Sequence, residues 1–519
     1  MESKKVGIIG AGISGLAACK FILSKGLIPI VLEARDDIGG VWTETLQTTT
    51  LQTTREMFQF SDFPWPKSVT EDFPRYNQVL DYLRSYADHF ELLKHIRFNS
   101  KVFSIDYEGC SDEEIEGCNL WGGSGHAFAE RRKWRLNVVD AQTNIPVEGV
   151  VVDFVVLCIG RFSDFPNIPE FPPNGGPEAF RAGKVLHSSE FSAMDFDSAS
   201  NLIKDKQITV VGFQKSGIDL AMECANANGP KKPCTVLYRT KHWSITDYYP
   251  WGIPLAFLYM NRFAELLIHK PGEGFLLYLL AILLSPIRWL FSKIVETYVI
   301  KKLGLAKYGM IPTQSFLQDI GSCLFAIMPE KFYDKVEEGS IILKQSQSFR
   351  FCEEGIMIEG ETKPIRSDLV ILATGYRGDQ KLKEIFASST FRDYMTFHDL
   401  AVPMYRQIIH PRIPQLAVIG FSESASNLYT SEIRGRWLAE FLDGTFKLPS
   451  IKEMEKDIAN WEKSLRLYSG PFYKRACIVI LHIWYNDQLC KDMGWNHKRK
   501  KGFFADLFLP YGPSDYASP

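Results

Sequence analysis

Residues 6–16 read Val-Gly-Ile-Ile-Gly-Ala-Gly-Ile-Ser-Gly-Leu. An apolar run entering G-x-G-x-x-G predicts a buried parallel strand, a tight turn, and a helix continuing through Ala17, Cys19 and Phe21. Each glycine has a steric task. Gly10 permits the turn, Gly12 lets backbone approach a pyrophosphate, and Gly15 lets helix pack on strand. The helix N-terminus then presents unpaired N–H groups and a positive dipole end to phosphate. The next strand is expected over residues 28–33, IPIVLE. It ends on Glu33, near the ~20-residue offset at which an acid bonds ribose hydroxyls.

The following residues 33–42, EARDDIGGVW, bring a second glycine pair soon after that acid. This suits a dinucleotide that runs on past its pyrophosphate, as FAD does, with Gly40 near the chain and Trp42 at the flavin end. The unit closes on residues 154–160, FVVLCIG.

A second copy starts at residues 208–219, ITVVGFQKSGID, takes its next strand at 234–239, CTVLYR, and closes on 369–375, LVILATG. Gly212 and Gly217 keep the turn and the packing position, but the close-approach glycine is replaced by Gln214. Arg239, followed by Thr240 and Lys241, stands where the first copy has Glu33. An acid favours a free ribose hydroxyl, and a planar cation accepts a 2′-phosphate. The two copies therefore call for different nucleotides, FAD first and NADPH second. Gln214 is read as a spacer that holds the exchanging cofactor slightly away from the backbone. The fold class is α/β with two Rossmann-like domains, an NADPH domain inserted into an FAD domain. The expected divisions are 1–170 (FAD domain, first part), 171–364 (NADPH domain, with a mostly helical insert at about 243–330) and 365–519 (FAD domain, second part, and C-terminal segment). Thr374 and Gly375 are accordingly placed with FAD.

Bulk composition narrows the class. A chain of 519 residues exceeds the usual size of one core. Lys plus Arg (59) nearly balances Asp plus Glu (61), which gives no basic excess for nucleic acid. The ten cysteines contain no C-x-x-C, which argues against a zinc site or a dithiol centre and fits a reducing compartment. A disulfide reductase is excluded, because residues 43–54, TETLQTTTLQTT, carry no cysteine pair beside the flavin. MESKK leads straight into the first strand, so no signal peptide is expected and the reading is cytoplasmic. The apolar run at 275–284 is about half the ~20 residues of a spanning helix, and Ser285-Pro286 follows it. It reads as a buried or interfacial helix, leaving open a peripheral membrane contact, including the endoplasmic reticulum surface.

At this point the chain resembles the flavin-containing monooxygenases over nearly its whole length. The glycine turn, Glu33 and residues 39–42 match that family's FAD motif. Residues 180–191, FRAGKVLHSSEF, resemble its identifying F-x-G-x-x-x-H-x-x-x-(Y/F), with one extra residue between Phe180 and Gly183. Residues 372–376, LATGY, and 60–65, FSDFPW, are also similar. The insert, with HKPGEG (269–274) and LLSPIRW (283–289), resembles the plant branch that contains the N-hydroxypipecolate synthases.

The resemblance implies hydride transfer from NADPH to FAD, oxygen addition at flavin C4a, and attack on the hydroperoxide by a soft nucleophile. Molecular oxygen and a small nucleophilic substrate are then the partners, and an amine or amino acid such as pipecolate is the favoured target. S-oxygenation, Baeyer–Villiger oxidation, an uncoupled NADPH oxidase and a non-enzymatic nucleotide sensor stay open as alternatives. Thr54 replaces the asparagine of many members, offering one hydroxyl in place of an amide donor and acceptor. His187 reads either as a residue orienting NADPH or as a histidine satisfied by backbone near a hinge. Arg55, Arg377 and Arg434 are unranked candidates for a substrate carboxylate.

Overall fold

The computed structural model describes residues 4–109, 111–117, 125–128, 132–396 and 398–519; Cys110 and Cys118 fall outside them. In chain order, the elements that position the site are β1 (Lys5–Ile9), α1 (Ile13–Ser24), β2 (Ile28–Leu32), β3 (Ile96–Arg97), β4 (Phe154–Leu157), β5 (Lys184–His187), β6 (Ile208–Val211), α2 (Lys215–Asn228), β7 (Cys234–Tyr238), α3 (Phe275–Leu283), α4 (Ser285–Leu303), β8 (Ile341–Gln345), β9 (Leu369–Leu372), β10 (Leu416–Val418) and α5 (Asn427–Asp443). Two parallel five-stranded sheets result, ordered β10-β4-β1-β2-β3 and β8-β7-β6-β9-β5. Read from opposite ends, they are the same sheet twice. β1 corresponds to β6, β2 to β7, β3 to β8 and β4 to β9. The apolar runs FVVL and LVIL are buried at every position, as strands covered on both faces must be.

Sheet membership moves one boundary. β9 pairs with β6 and with β5, so it is an inner strand of the second sheet. The chain therefore leaves the second domain after β9 and not at residue 365, and Thr374 and Gly375 sit at the end of a second-sheet strand. The pairing agrees with 369–375 as the closing strand of the second copy. Only the boundary at 365 and the placing of Thr374 and Gly375 with FAD are corrected, because LATG repeats LCIG at the equivalent strand end beside the other glycine turn. The two crossings between domains pair with one another. Pro166 bridges antiparallel to Tyr376, the Asn167 N–H donates to the Gly375 carbonyl (2.8 Å), and the Thr374 hydroxyl donates to the Asn167 carbonyl (2.5 Å).

The insert begins and ends on a two-stranded ladder, Ser244 beside Ala326 and Ile245 beside Ile327. Between them the chain is mostly helical. Pro286 cannot continue α3, so the helix stops at Leu283 and restarts as α4 at a 48° bend. Cys323 and Cys477, 154 residues apart, form a disulfide that ties the end of the insert to the C-terminal segment. No local spacing announced it.

Candidate functional site

The two glycine turns are built alike. Gly10 has φ +100° and Gly212 φ +125°, a region that L side chains avoid. A Cβ on Gly10 would lie 2.6 Å from the Cys158 carbonyl oxygen; on Gly212 it would lie 2.3 Å from that of Ala373. A Cβ on Gly15 would meet the Gly10 oxygen at 1.9 Å, and one on Gly217 the Gly212 oxygen at 2.3 Å. Gly12 and Gln214 are both extended N-cap residues, of α1 and α2 respectively. Gln214 has φ −113°, so its backbone never required glycine. What changed there is only what the turn presents to a ligand.

In the first half, Gly39 (φ +125°) and Gly40 (φ +60°) fold a second turn back onto the first. A Cβ on Gly12 would sit 3.4 Å from Gly40 Cα, so two bare backbone segments 28 positions apart meet with no side chain between them. This cradle fits a dinucleotide. Glu33 is buried, and its carboxylate accepts from the Ala11 N–H (2.6 Å) and the Arg35 N–H (2.9 Å). The acid thus ties the glycine turn to the loop after β2. A carboxylate offers about four acceptor sites, so capacity remains for hydroxyls. Trp42 lies edge-on to Phe58 at 5.9 Å, and the Phe58 N–H donates to the Thr54 carbonyl (3.0 Å). Trp42 and Thr54 thereby both contact Phe58, one at its ring and the other at its backbone.

In the second half, the Gln214 Nε2 is buried without a hydrogen-bond partner. An orphaned donor at a helix N-terminus fits a phosphate oxygen. Arg239 and Thr240 are exposed just past β7, and the guanidinium has no ion pair among the described residues. Lys241 is half-buried beside them, likewise without an acid. Two free cations and a hydroxyl at a strand end suit a 2′-phosphate.

Sequence reasoning missed the contacts between the halves. The Thr49 hydroxyl donates to Asp219 (3.2 Å) and the Thr48 hydroxyl to Glu223 (2.5 Å), while Lys215 pairs with Asp219 at 2.8 Å. The Tyr248 hydroxyl donates to the Gln52 carbonyl. The loop that carries Thr54 is therefore pinned to α2 and to the start of the insert. Burial raises the Asp219 carboxyl above its usual range, against the pull of Lys215 and Thr49, and burial raises Glu223 as well. The Lys215–Asp219 spacing of four was the one visible hint.

His187 is buried, with one ring nitrogen 2.8 Å from the Ser189 hydroxyl and the other 3.1 Å from the Gly375 carbonyl. Burial lowers its pKa. It ties the end of β5 to the crossing at Gly375. The candidate arginines separate clearly. Arg55 donates to the Val69 carbonyl and pairs with Glu56 at 3.4 Å, and Arg377 is exposed over Asn167 and Ile168. Arg434 is fully buried, donating to the Tyr485 hydroxyl (2.7 Å) and the Ser422 hydroxyl (2.5 Å), with Nη1 unpartnered and no ion pair among the described residues. A cavity of about 550 Å³ lies within the insert, lined in part by Trp243, Arg288, Trp289 and Lys293, away from both glycine turns. Among the described residues, no group of His, Cys, Asp and Glu is placed to hold a metal.

The model of the flavin-binding monooxygenase-like family matches residues 3–506. The chain belongs to the flavin-binding monooxygenase family. This monooxygenase is 42% identical over 520 residues to the probable flavin-containing monooxygenase 1 of Arabidopsis thaliana, covering 99% of this chain and 96% of that one. Its fold is that of solved structures at much lower identity. S-allyl-L-cysteine S-oxygenase from Allium sativum has a TM-score of 0.58 at 18% identity, with coverage of 95% and 89%. OTEMO in complex with FAD and NADP has a TM-score of 0.59 at 16%, with coverage of 85% of each chain.

Proposed function

We propose that this flavin monooxygenase transfers one oxygen atom to the nitrogen of an amine or amino acid, with pipecolate as the representative substrate. FAD in the first half, reduced by NADPH in the second, supplies the oxygen-activating chemistry. The protein's own part is binding, orientation and exclusion of water. Gly10, Gly12, Gly15, Glu33, Gly40 and Trp42 would hold FAD. Gly212, Gly217 and the Gln214 amide would receive the NADPH pyrophosphate, with Arg239, Thr240 and Lys241 on its 2′-phosphate. Thr54 would offer its single hydroxyl to the bound cofactors. The bonds from Thr48, Thr49 and Gln52 to α2 and Tyr248 keep that loop in step with the NADPH half.

The observation that supports nitrogen as the target is the insert, whose HKPGEG and LLSPIRW stretches resemble the N-hydroxypipecolate branch. The Allium sativum relative in fold is an S-allyl-L-cysteine S-oxygenase, so thioethers belong in the same test. The flavin-loaded enzyme is incubated with NADPH and matched amines, amino acids, thioethers and ketones, and products are read for a mass gain of one oxygen. Oxygenated amine or amino acid is the expected product; oxygenation of the thioethers or ketones alone would refute it.

Thr54 favours a second reading, in which NADPH is consumed to hydrogen peroxide. Peroxide yield near one per NADPH with every compound, falling in Thr54→Asn, would establish that reading instead.

A further inference from the structure

We propose that Asp319, a carboxylate of the insert, is a positioning residue for the nicotinamide nucleotide, fixing the backbone that carries Arg239, Thr240 and Lys241 and with it the preference for a 2′-phosphorylated carrier. This rests on the reading of those three residues as the 2′-phosphate site. Asp319 lies on the short helix Phe316–Gly321, 77 positions from His242, and is fully buried. Its carboxylate meets the chain just past β7. The Trp243 N–H donates to one oxygen (2.7 Å), and His242 Nδ1 stands 3.1 Å from the other. A carboxylate only accepts, so that ring nitrogen carries the proton. The Gln314 amide nitrogen donates both to Asp319 (3.0 Å) and to the Lys241 carbonyl (2.7 Å). Three donors converge on one acid, and each belongs to the turn or is bonded to it.

The acid grips backbone and a ring, and it leaves the cations alone. Among the described residues its one basic partner is His242, although Lys241 adjoins His242 in the chain. Burying a carboxylate without a Lys or Arg partner is costly unless its hydrogen bonds are many and well placed. A carboxylate offers about four acceptor sites, and an amide oxygen in its place about two. The turn is held from its other side as well, where Gln345 at the end of β8 donates to the Arg239 carbonyl (2.9 Å) and Gln347 adds a longer bond (3.4 Å).

The anchor itself is fixed. The Phe316 and Leu317 N–H groups donate to Glu296 (2.9 Å) and Ser292 (3.2 Å) of α4, and the Ser469 hydroxyl donates to the Gly321 carbonyl (2.8 Å). Ordering a loop costs conformational entropy, and a site already ordered before its ligand arrives binds more tightly. Through Asp319 the insert, which neither nucleotide fold requires, acts on the choice of nucleotide.

The test titrates the flavin-loaded enzyme with NADP⁺ and with NAD⁺, which differ only in the 2′-phosphate. Asp319→Asn is expected to weaken NADP⁺ about tenfold and to hold NAD⁺ as wild type does, with the loss in turnover carried by KM for NADPH. Gln314→Leu, which frees the Lys241 carbonyl, is expected to act in the same direction, and it carries the test if Asp319→Asn does not fold. Arg239→Ala separates the proposal from the reading beneath it. If Arg239→Ala lowers the preference for NADP⁺ while Asp319→Asn and Gln314→Leu keep it, the 2′-phosphate site stands and the role of Asp319 falls. If Arg239→Ala keeps the preference, the site reading fails and the proposal with it. Equal weakening of NADP⁺ and NAD⁺ in Asp319→Asn would reduce the acid to a structural support, and tighter NADP⁺ binding would make its charge a repulsion; either overturns the proposal.

Discussion

Replacing Gln214 sets two accounts of the second glycine turn against each other. As a spacer, the side chain keeps NADPH off the backbone, and Gln214→Gly should bind the cofactor as tightly as wild type or more so. The structure points the other way. Gln214 sits at the N-terminus of α2 with its Nε2 donor buried and unpartnered, so a phosphate oxygen there would satisfy a group already stripped of water. A hydrogen bond to a charged acceptor contributes ~1.5–3 kcal/mol, which is roughly tenfold to 150-fold in Kd. The backbone imposes no offsetting cost, since φ is −113°. Gln214→Gly and Gln214→Leu are both expected to weaken NADP⁺ binding by that factor, the leucine by keeping the bulk while removing the donor. Titrating the oxidised flavoprotein with NADP⁺ and following flavin absorbance gives Kd directly. The NADPH dependence of flavin reduction gives an independent value. If Gln214→Gly binds equally well or better while Gln214→Leu binds poorly, the donor account is wrong and the residue is a spacer.

Other consequences follow from single contacts. Gly15→Ala would place a methyl 1.9 Å from the Gly10 carbonyl oxygen, so α1 must shift; the purified variant should be largely colourless, with sub-stoichiometric FAD by absorbance. Arg239→Ala removes an unpaired guanidinium and should raise KM for NADPH about tenfold or more, while NADH is used as before. Glu265 is buried and accepts from the Ile483 and Trp484 N–H groups, and burial raises its pKa to about 8. A carboxyl raised on folding contributes its stability below the unfolded value and loses it as pH rises through about 8. Thermal stability of wild type should therefore fall between about pH 4.5 and pH 8 relative to Glu265→Gln, whose profile stays flatter in that window.

Local pattern carried much of the site, and the reasons differ by residue. Gly10, Gly15, Gly212 and Gly217 were legible because each is fixed by a steric demand within one strand–turn–helix unit. Arg239 was legible as the counterpart of Glu33 because both end the strand after the turn. Gln214 was located correctly, but its unpartnered amide depends on what surrounds the side chain and could not be read. Glu33 was read as a ribose ligand, while its bonds to Ala11 and Arg35 arise from the way the loop folds over the turn. The Cys323–Cys477 bond and the Thr48 and Thr49 contacts to α2 join segments more than 150 residues apart, for which sequence spacing holds no signal.

By itself, the sequence determined that there are two glycine turns, one followed at the next strand's end by an acid and one by cations, because such turns depend on short-range backbone sterics. The tertiary structure alone decided that the chain leaves the second sheet only after β9, that Thr374 and Gly375 pair with Asn167 at the crossing, and that the α3 side chains stay exposed. Those facts depend on which surfaces meet after folding. Strand pairing and burial are properties of neighbours in space, and residues 275–283 would read identically whether packed in a core or left at the surface.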